Sequence, residues 1–450
     1  MEFTTEEEQT LRIVYLTAGA AGMYCGSCLH DNAVAKAMIK QGHDAILVPT
    51  YTPILTDEAG VSIDRLFFGG LNVYLQQIFP PARWLPNWLD RFLSSPRLVR
   101  WIAERSMGTT ADKLGPLTVS MLQGRDGHQR KEVQRLAAWL EKEIRPEAII
   151  FSNLLIGGAI PEIRQRLRCP IIVMLQGDDA FFDQLTEPHR SRSMDLLRKL
   201  ARDVDMFVVH SRAYGLRMGE RLDIPESKWT VSPLALDGSD IQLAINTADP
   251  PPADRPAAIG YLARLAPEKG LHVLVEAFIQ LAGRRGQEQT TLQIAGWLGK
   301  QNEAYWEVCR TKLQEAGLSD RFRYWGSVDR QGKLDFLHAI DVLSVPAVHF
   351  EPKGLFVLES LAAGVPVVQP AHGAFPEMLE RLGGGMLFPP EDSAALADRL
   401  QQMLSDLPST RALGAAGRDR VRSDATTDGA AKRIVELLES LQPAPESVSS

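Results

Sequence analysis

Short apolar runs alternate with longer amphipathic stretches along most of the chain. The runs of the first half are rich in valine, isoleucine and leucine and are bounded by turn residues, which is typical of buried strands. They read LRIVYLTAG, GHDAILVPTY, AIIFSN, PIIVMLQ and MFVVHS. Helical patterns such as KEVQRLAAWLEKE separate them, and we expect Asp31 or Asn32 to cap a helix that continues through residues 33–42. Buried strands that alternate with helices predict a parallel, doubly wound α/β sheet.

A proline-rich stretch, residues 248–258, interrupts this pattern and predicts a linker. The alternation then resumes as AAIGYLARL, LQIAGWLG, RFRYWG, DVLSVPAV and VPVVQP. The pattern therefore predicts two α/β domains, residues 1–240 and 257–420, with a cleft between them and ligands at the carboxyl ends of the strands. We expect a C-terminal helix over 421–442, which can pack back on the first domain, and a disordered tail over 443–450.

The segment 67–106 does not fit the alternation, because it combines three tryptophans with several arginines. One interpretation is an inserted helical subdomain with a small core of its own. The alternative is an acceptor-binding wall or a membrane-surface face that uses tryptophan and arginine amphipathically.

Composition narrows the class of protein. The chain has 450 residues, 45% of them hydrophobic and 23% charged, as in ordinary globular proteins of about two or three domains. The net charge of −7 argues against a nucleic-acid partner. No apolar run reaches the roughly 18 residues of a membrane span, and the acidic start MEFTTEEEQT is unlike a secretory signal. Four cysteines do not make a disulfide framework, so we expect a cytoplasmic protein, with peripheral membrane contact through 67–106 as an alternative.

The stretch EPKGLFVLESLAAGVPVVQP carries the first candidate chemistry. Glu351 lies in a loop and Glu359 in the body of the helix that follows, within an apolar run where an unpaired carboxylate is costly. The start of this helix offers free N–H groups to a phosphate, and Gly354 allows a ligand to approach the backbone closely. Two carboxylates on either side of a phosphate can bind sugar hydroxyls. The alternative is a pair of solvated surface acids.

The stretch GYLARLAPEKG carries the second group of candidate functional residues. Arg264 and Lys269 flank a short loop between a strand end and a helix. A guanidinium fork and an ammonium ion at that position can bind a diphosphate. Taken alone, such a pair is weak evidence, since most are solvated.

These two stretches, continued through AHGAFPEML, resemble the donor domain of family 4 glycosyltransferases, which are retaining enzymes of GT-B fold with two Rossmann-like domains facing a central cleft. The resemblance is strong over residues 257–400 and weaker in LTAGAAGMYCGSCLHDNAVAKAMIKQGHDAILVPTY and HSRAYG. VPTYTPI and NVYLQQIF are also similar to bacterial glycogen and starch synthases, although the lysine-bearing KxGGL loop of those enzymes is absent.

The resemblance implies a role for each matching residue. Arg264 and Lys269 would bind the diphosphate of a nucleotide sugar and stabilise the departing nucleotide. Glu359 would bind the ribose, and Glu351 would contact the transferred sugar. The implied backbone contacts to phosphate or sugar are those of Gly354, Leu355, Phe356, Gly22 and Gly373. The implied reaction retains configuration by a front-face transfer to an acceptor hydroxyl, without metal or cofactor, and we find no DxD-type metal motif in a suitable place.

The first half departs from the family pattern near the reacting sugar. Many members carry a histidine after a strand where this chain reads VMLQGDDAFFD, so Gln176 and Asp178 are the candidates for contact with the acceptor or sugar. His30 is a third candidate, with capping or packing as the alternative. Cys25 and Cys28 suggest small residues that shape the first loop, with thiol chemistry as a weaker alternative and no second ligand pair for zinc.

The sequence therefore predicts a glycosyltransferase that uses a nucleotide sugar and a sugar, polysaccharide or lipid-linked acceptor. An α-glucan synthase, a non-catalytic sugar-nucleotide binder of the same fold, and a sugar phosphorylase or epimerase remain as alternatives. The nucleotide base, the sugar and the acceptor are left open, because UDP, GDP and ADP sugars share the same diphosphate.

Overall fold

The computed structural model describes residues 10–19, 26–51, 111–240, 244 and 255–442. Several predictions fall outside these ranges: Gly22, Cys25, the Trp/Arg-rich segment 67–106, linker residues 248–254 and the tail 443–450.

The described residues form two parallel sheets of six strands each. The first sheet has the order β2-β1-β3-β4-β5-β6. Its strands are β1 Arg12–Thr17, β2 Asp44–Pro49, β3 Ala148–Phe151, β4 Ile171–Leu175, β5 Met206–Val209 and β6 Trp229–Val231.

The second sheet has the order β12-β11-β10-β7-β8-β9. Its strands are β7 Ala258–Leu262, β8 Thr291–Ala295, β9 Phe322–Tyr324, β10 Val342–Leu343, β11 Val367–Pro370 and β12 Gly385–Phe388. In register, Val342 and Leu343 of β10 lie beside Ile259 and Gly260 of β7.

Helices connect the strands as a doubly wound fold requires. In the first half they are α1 Gly26–Lys40, α2 Ala111–Leu122, α3 Arg130–Trp139, α4 Ile160–Arg166, α5 Asp179–Phe182, α6 His189–Ala201 and α7 Arg212–Leu222. In the second half they are α8 Leu271–Ala282, α9 Glu303–Glu315, α10 Arg330–His338, α11 Leu355–Ala362, α12 Phe375–Leu382, α13 Ser393–Leu404, α14 Leu407–Asp424 and α15 Thr427–Ser440. Within the described ranges, no helix is both long and apolar enough to cross a bilayer.

The central strands are buried on both faces. Every residue of β3, β4 and β7 is buried. Helices on both sides of a parallel sheet exclude water from its two faces, which is why these strands read as continuous apolar runs and not as alternating ones. The α/β fold class predicted from the sequence is confirmed.

The chain divides into two compact units that are not simple halves. The first comprises Met1–Val209, Gly215–Ser232 and Asp428–Ser450, and the second His210–Tyr214 and Pro233–Thr427. In the first unit the Lys40 ammonium donates to Asp428 at 2.6 Å and the Gln442 side chain donates to the Glu147 carbonyl at 2.9 Å. The C-terminal helix α15 therefore completes the first unit, and the chain passes out of that unit and returns to it.

Most elements match the predicted pattern, and three differ. Strands β6 and β12 were not predicted, because β6 has three half-buried residues and β12 begins with glycine and is largely half-buried. The helix predicted over 421–442 is instead the end of α14 followed by α15, with a break at residues 425–426.

The predicted helix cap at Asp31 or Asn32 is wrong. Both residues lie inside α1 and both are buried. The Asp31 carboxylate faces the sheet, where it accepts hydrogen bonds from the Tyr15 hydroxyl at 2.7 Å and the Thr17 hydroxyl at 3.1 Å. These tertiary partners, rather than the free N–H groups of a helix start, occupy the carboxylate.

The loop after β7 and the chain after β10 approach each other closely at Gly270. Gly270 begins α8 with a φ of +73°, and a Cβ built on it would lie 1.8 Å from the carbonyl oxygen of Pro346. The loop after β7 and the chain after β10 can approach this closely because position 270 has no side chain.

We expect Gly270→Ala to destabilise the protein by at least about 2 kcal/mol more than the control Gly317→Ala. Gly317 has a similar φ of +72° but nothing within 4 Å of a built Cβ, so its substitution costs only the left-handed backbone strain of about 1–2 kcal/mol. Urea unfolding of both variants measures the difference. Equal losses for the two would show that the contact with Pro346 is not a constraint.

Candidate functional site

The strand order of the second sheet reverses between β7 and β10, and this reversal positions the candidate site. In open α/β sheets, ligands bind outside the carboxyl ends of the strands at such a point. The loop that follows β7 carries Arg264 and Lys269, and the loop that follows β10 carries Glu351. The two strongest sequence motifs therefore meet at the edge where the fold favours a ligand.

Backbone contacts hold the two loops together. The amides of Val348 and His349 both lie within hydrogen-bonding distance of the Glu268 carbonyl, at 3.1 and 3.4 Å. The Gly270 approach to Pro346 adds a second connection. These contacts hold together the two loops that carry Arg264, Lys269 and Glu351.

A buried ion pair joins the motifs across 82 residues. The Lys269 ammonium donates to Glu351 Oε2 at 2.6 Å, and the exposed fractions of the two side chains are 16% and 5%. The other carboxylate oxygen, Oε1, accepts the Gly354 amide at 3.3 Å. Glu351 is therefore held at both oxygens by residues that were themselves predicted to bind the donor.

Glu351 is ionised in this environment. Burial by itself raises the pKa of the carboxyl, but the charges of Lys269 and His349 and the hydrogen bonds from Lys269 and Gly354 oppose it and hold the pKa at about 2. A carboxylate that is anchored in this way is suited to positioning a hydroxyl group rather than to attacking a sugar carbon.

The start of α11 lies directly after this pair. Gly354 adopts a left-handed conformation with φ +65° and precedes the first helical residues Leu355 and Phe356. Their N–H groups belong to the first turn, which has no partner within the helix, and the partial positive charge there favours an anion. Lys269 Nζ lies 6.0 Å from the centre of the Phe356 ring.

Gly373 is close to Glu351 but packs against its backbone. A Cβ at Gly373, where φ is +62°, would lie 2.5 Å from the Glu351 carbonyl oxygen and 2.8 Å from its nitrogen. The next amide, that of Ala374, donates to the same carbonyl at 2.9 Å. The contact found for Gly373 is thus a structural one, and its predicted contact with the sugar stays a prediction.

Arg264 is the most accessible of the predicted cations. Its guanidinium donates to Glu268 at 3.2 Å, and half of the side chain, 52%, is exposed. A surface pair of this kind contributes little to stability. The guanidinium is therefore available for a ligand at small cost.

Glu359 forms a second lysine–glutamate pair. Lys333 of α10 donates to Glu359 Oε1 at 2.7 Å. The two side chains are largely buried and line a small cavity of the second unit together with Leu334 and Ala362. The pairing explains how a carboxylate is tolerated within the apolar run of α11.

The candidates of the first unit lie in a buried polar network. Gln176 donates from Nε2 to Asp31 Oδ1 at 2.9 Å and to the Ser152 carbonyl at 3.0 Å. Both hydrogens of its amide group are thereby used within the protein. Gln176 thus links α1 to the chain directly after β3 and β4, and its predicted contact with the acceptor or sugar stays a prediction.

Asp178 and His30 are buried as well. Asp178 Oδ2 accepts the amide of Leu154 at 2.9 Å, which fixes the turn that follows β3. His30 is only 4% exposed and its Nδ1 lies 3.9 Å from Asp31. Asp178 thus supports the turn after β3, and the predicted role of both residues toward an acceptor stays a prediction. Cys28, on α1 like His30, is also buried.

Two residues that the motifs did not single out contact the predicted carboxylates. Lys333 pairs with Glu359 across 26 residues, and no local spacing signals it. His349 lies with Nε2 3.5 Å from Glu351 Oε2, and its position two residues before that glutamate was the available signal. Among the described residues there is no group of three or more side chains able to hold a metal ion.

Comparisons with known proteins find similarity over the part of the chain that carries these residues. Residues 245–420 match the family model described as "Glycosyl transferases group 1". The matched range lies within the second unit and contains both loops and both lysine–glutamate pairs.

Two relatives from Mycobacterium tuberculosis match part of the chain. A glycogen synthase (strain CDC 1551 / Oshkosh) is 34% identical over 173 residues, which are 38% of this chain and 40% of that protein. A GDP-mannose-dependent alpha-(1-6)-phosphatidylinositol monomannoside mannosyltransferase is 30% identical over 192 residues, 41% and 48% of the two chains. This chain thus spans less than half the length of these curated relatives.

Solved structures match over nearly the whole chain. Sucrose-phosphate synthase from Thermosynechococcus elongatus has a TM-score of 0.68 at 20% identity and covers 96% of this chain and 99% of its own. HepE from Anabaena, in complex with UDP and glucose, has a TM-score of 0.62 at 18% identity and covers 96% and 100%. At these identities the likeness shows the fold, which is that of GT-B glycosyltransferases. Residues 245–420 are therefore similar to the group 1 glycosyl transferases, and the predicted resemblance to glycosyltransferases of GT-B fold is confirmed.

Proposed function

We propose that the protein is a retaining glycosyltransferase that moves a sugar from a nucleotide diphosphate sugar to an acceptor hydroxyl. The observation that carries the proposal is the cluster of Arg264, Lys269 and Glu351 at the reversal of strand order, directly before the start of α11. This cluster offers two cations and helix N–H groups to a diphosphate, and an ionised carboxylate to the sugar beside it.

In the proposed reaction the cations act on the leaving group. As the bond between the sugar and the diphosphate breaks, negative charge develops on the phosphate oxygens, and Arg264, Lys269 and the first turn of α11 stabilise it. Each such contact lowers the barrier by about 3 kcal/mol. Charge neutralisation by these groups is why we propose that no metal ion is needed.

The acceptor hydroxyl would attack on the face from which the nucleotide leaves. The departing phosphate oxygen takes the proton of that hydroxyl, so no protein nucleophile is required. Glu351 is suited to holding the transferred sugar through its hydroxyl groups, because Lys269 and Gly354 orient its two oxygens before the donor binds. Glu359 would accept hydrogen bonds from the ribose.

An α-glucan synthase is the second candidate, and the similarity to a glycogen synthase favours it. The same similarity is shared with a mannosyltransferase whose name specifies GDP-mannose and a lipid-linked acceptor. The product distinguishes the two candidates. An α-glucan synthase would extend a glucan chain, whereas the other enzyme would transfer a single sugar to a small or lipid-linked acceptor.

The first prediction concerns the donor. Among UDP-glucose, GDP-mannose and ADP-glucose, we expect at least one to raise the melting temperature and to be hydrolysed slowly, equally with and without EDTA. A ligand at 100 times its Kd stabilises the native state by about 2.7 kcal/mol, so a thermal shift detects it. NMR of the released sugar reports whether the anomeric configuration is retained. Loss of activity in EDTA would contradict the metal-independent reaction, and binding without turnover would favour a non-catalytic binder.

The second prediction separates turnover from binding. Arg264→Ala should lower kcat by about a hundredfold, because the guanidinium acts on charge that develops in the transition state. Its control is Arg310→Ala, which removes an exposed arginine paired with Glu307 elsewhere in the second unit. Glu359→Ala should weaken donor binding more than it lowers kcat, whereas Glu276→Ala, which breaks the surface pair with Lys312, should change neither. Wild-type turnover in Arg264→Ala would remove the diphosphate assignment.

The third prediction follows from the pKa of Glu351. The folded-state pKa of about 2 lies below the ordinary value of 4.5, so the carboxylate stabilises the protein above about pH 4.5 and this stabilisation is lost as the pH falls toward 2. Between about pH 6 and pH 3.5 the advantage of the wild type over Glu351→Gln in free energy of unfolding should shrink by about 1 kcal/mol.

Urea unfolding at the two pH values measures this change. Lys269→Met removes the cation of the pair and should abolish most of the effect, since the buried carboxylate then has a higher pKa. Lys312→Met, which removes the lysine of the exposed pair with Glu276, should leave it intact. An advantage that does not depend on pH would show that the Lys269–Glu351 pair is not formed in solution.

A further inference from the structure

His349 occupies a position between the two loops of the site. Its Nδ1 lies 2.9 Å from the Glu268 carbonyl oxygen and its Nε2 lies 3.5 Å from Glu351 Oε2. A carbonyl oxygen can only accept, so Nδ1 carries the hydrogen of the neutral ring and Nε2 presents a lone pair to a carboxylate. Only the protonated ring donates to both neighbours.

In the proposed function the Lys269 ammonium contacts two anions, Glu351 and the diphosphate of the donor. In the ligand-free chain it is bonded to Glu351 at 2.6 Å, in a pair that is almost fully buried. The proposed function requires the same ammonium to contact a diphosphate. The ammonium has three N–H groups, but the negative charge of a diphosphate draws it away from Glu351, and a buried carboxylate that loses part of its compensating charge is destabilised.

We propose that His349 is a positioning residue for Glu351, which takes up one proton from solvent when a nucleotide sugar binds and replaces Lys269 as the partner of the carboxylate. This inference rests on the proposed function. The proton adds to Nε2, the neutral imidazole becomes an imidazolium, and Nε2–H then donates to Glu351 Oε2 while Nδ1–H remains on the Glu268 carbonyl.

The charged groups around the His349 ring favour a neutral ring before the donor binds and a protonated ring afterwards. From the loop after β7 the ring faces Lys269 and Glu268, the latter paired with Arg264; from its own loop it faces Glu351. Burial lowers the pKa of His349 and Lys269 lowers it further, against the opposing effect of Glu351 and Glu268, so the ring is neutral at pH 7 in the ligand-free protein. A bound diphosphate adds negative charge and draws the ammonium away, and both changes favour the imidazolium. With 22% of the side chain exposed, solvent can supply the proton.

Isothermal titration calorimetry in buffers of different ionisation enthalpy tests the inference. The probe is whichever of UDP-glucose, GDP-mannose and ADP-glucose binds most tightly, since the diester-type diphosphate of a nucleotide sugar does not titrate near neutral pH. We expect the wild type to take up a proton on binding, to a limit of one, near pH 7. His349→Gln should bind with no uptake from this site and with weaker affinity.

The matched control is His272→Gln. His272 is also a half-buried histidine of the second unit with a lowered pKa, but its Nδ1 faces the Tyr305 hydroxyl at 2.9 Å instead of a site carboxylate. Its variant should show the proton uptake of the wild type.

The pH dependence of affinity gives a second readout. Uptake of one proton makes affinity rise by as much as about tenfold for each unit that the pH falls, between the pKa values of the bound and free states. His349→Lys supplies a permanent cation at the same place, and its affinity should be tight and nearly independent of pH. We expect His349→Lys to keep tight binding near pH 7 and His349→Gln to weaken it. General damage to the loop would weaken binding in both variants.

The outcomes separate this inference from the proposed function. Tight binding by His349→Gln with the same proton uptake as the wild type overturns the role of His349 alone. Failure of the folded wild type to bind any of the three nucleotide sugars overturns the proposed function and this inference with it. Loss of uptake in His349→Gln, retained uptake in His272→Gln and pH-independent binding by His349→Lys support it.

Discussion

The buried contact between Lys269 and Glu351 is the interaction on which the rest of the site depends. It joins the loop after β7 to the loop after β10, at the reversal of strand order where ligands of doubly wound sheets bind. An ion pair in such a place is not a simple source of stability, because desolvation offsets much of the attraction. Its value lies in holding one cation and one anion at fixed positions before any ligand arrives.

The two lysine–glutamate pairs share one physical logic. Each carboxylate is part of a largely apolar environment and each is kept charged by a lysine from another element: Glu351 by Lys269 and Glu359 by Lys333. The proposed function requires carboxylates that accept hydrogen bonds from sugar and ribose hydroxyls, and such carboxylates must be ionised yet shielded from water. Pairing with lysine meets both conditions, at the cost that a ligand has to compete for the same groups.

Local pattern was sufficient to predict the frame of this site. Strand ends, a glycine at the start of α11 and the eight-residue spacing of the glutamates can all be read from neighbouring letters, and the structure brings them to one edge of one sheet. The partners of those groups could not be read in that way. Lys333 becomes relevant only because α10 lies beside Glu359 in three dimensions, whereas the nearness of His349 to Glu351 in sequence did not reveal that its ring faces the carboxylate. Gln176 is similar: its hydrogen-bonding partner Asp31 is 145 residues away, so no spacing rule shows that its amide group is already used.

The return of α15 to the first unit has a consequence for how the protein is made. Domains generally fold as units while the chain emerges from the ribosome, with the N-terminal one first. Here the first unit lacks α15, and with it the contacts of Lys40 with Asp428 and of Glu147 with Gln442, until residues 427–442 have been synthesised. The second unit, whose main segment ends at Thr427, is complete before that point. Nascent chains should therefore contain a complete second unit while the first unit still lacks α15, so the first unit is completed only after the second.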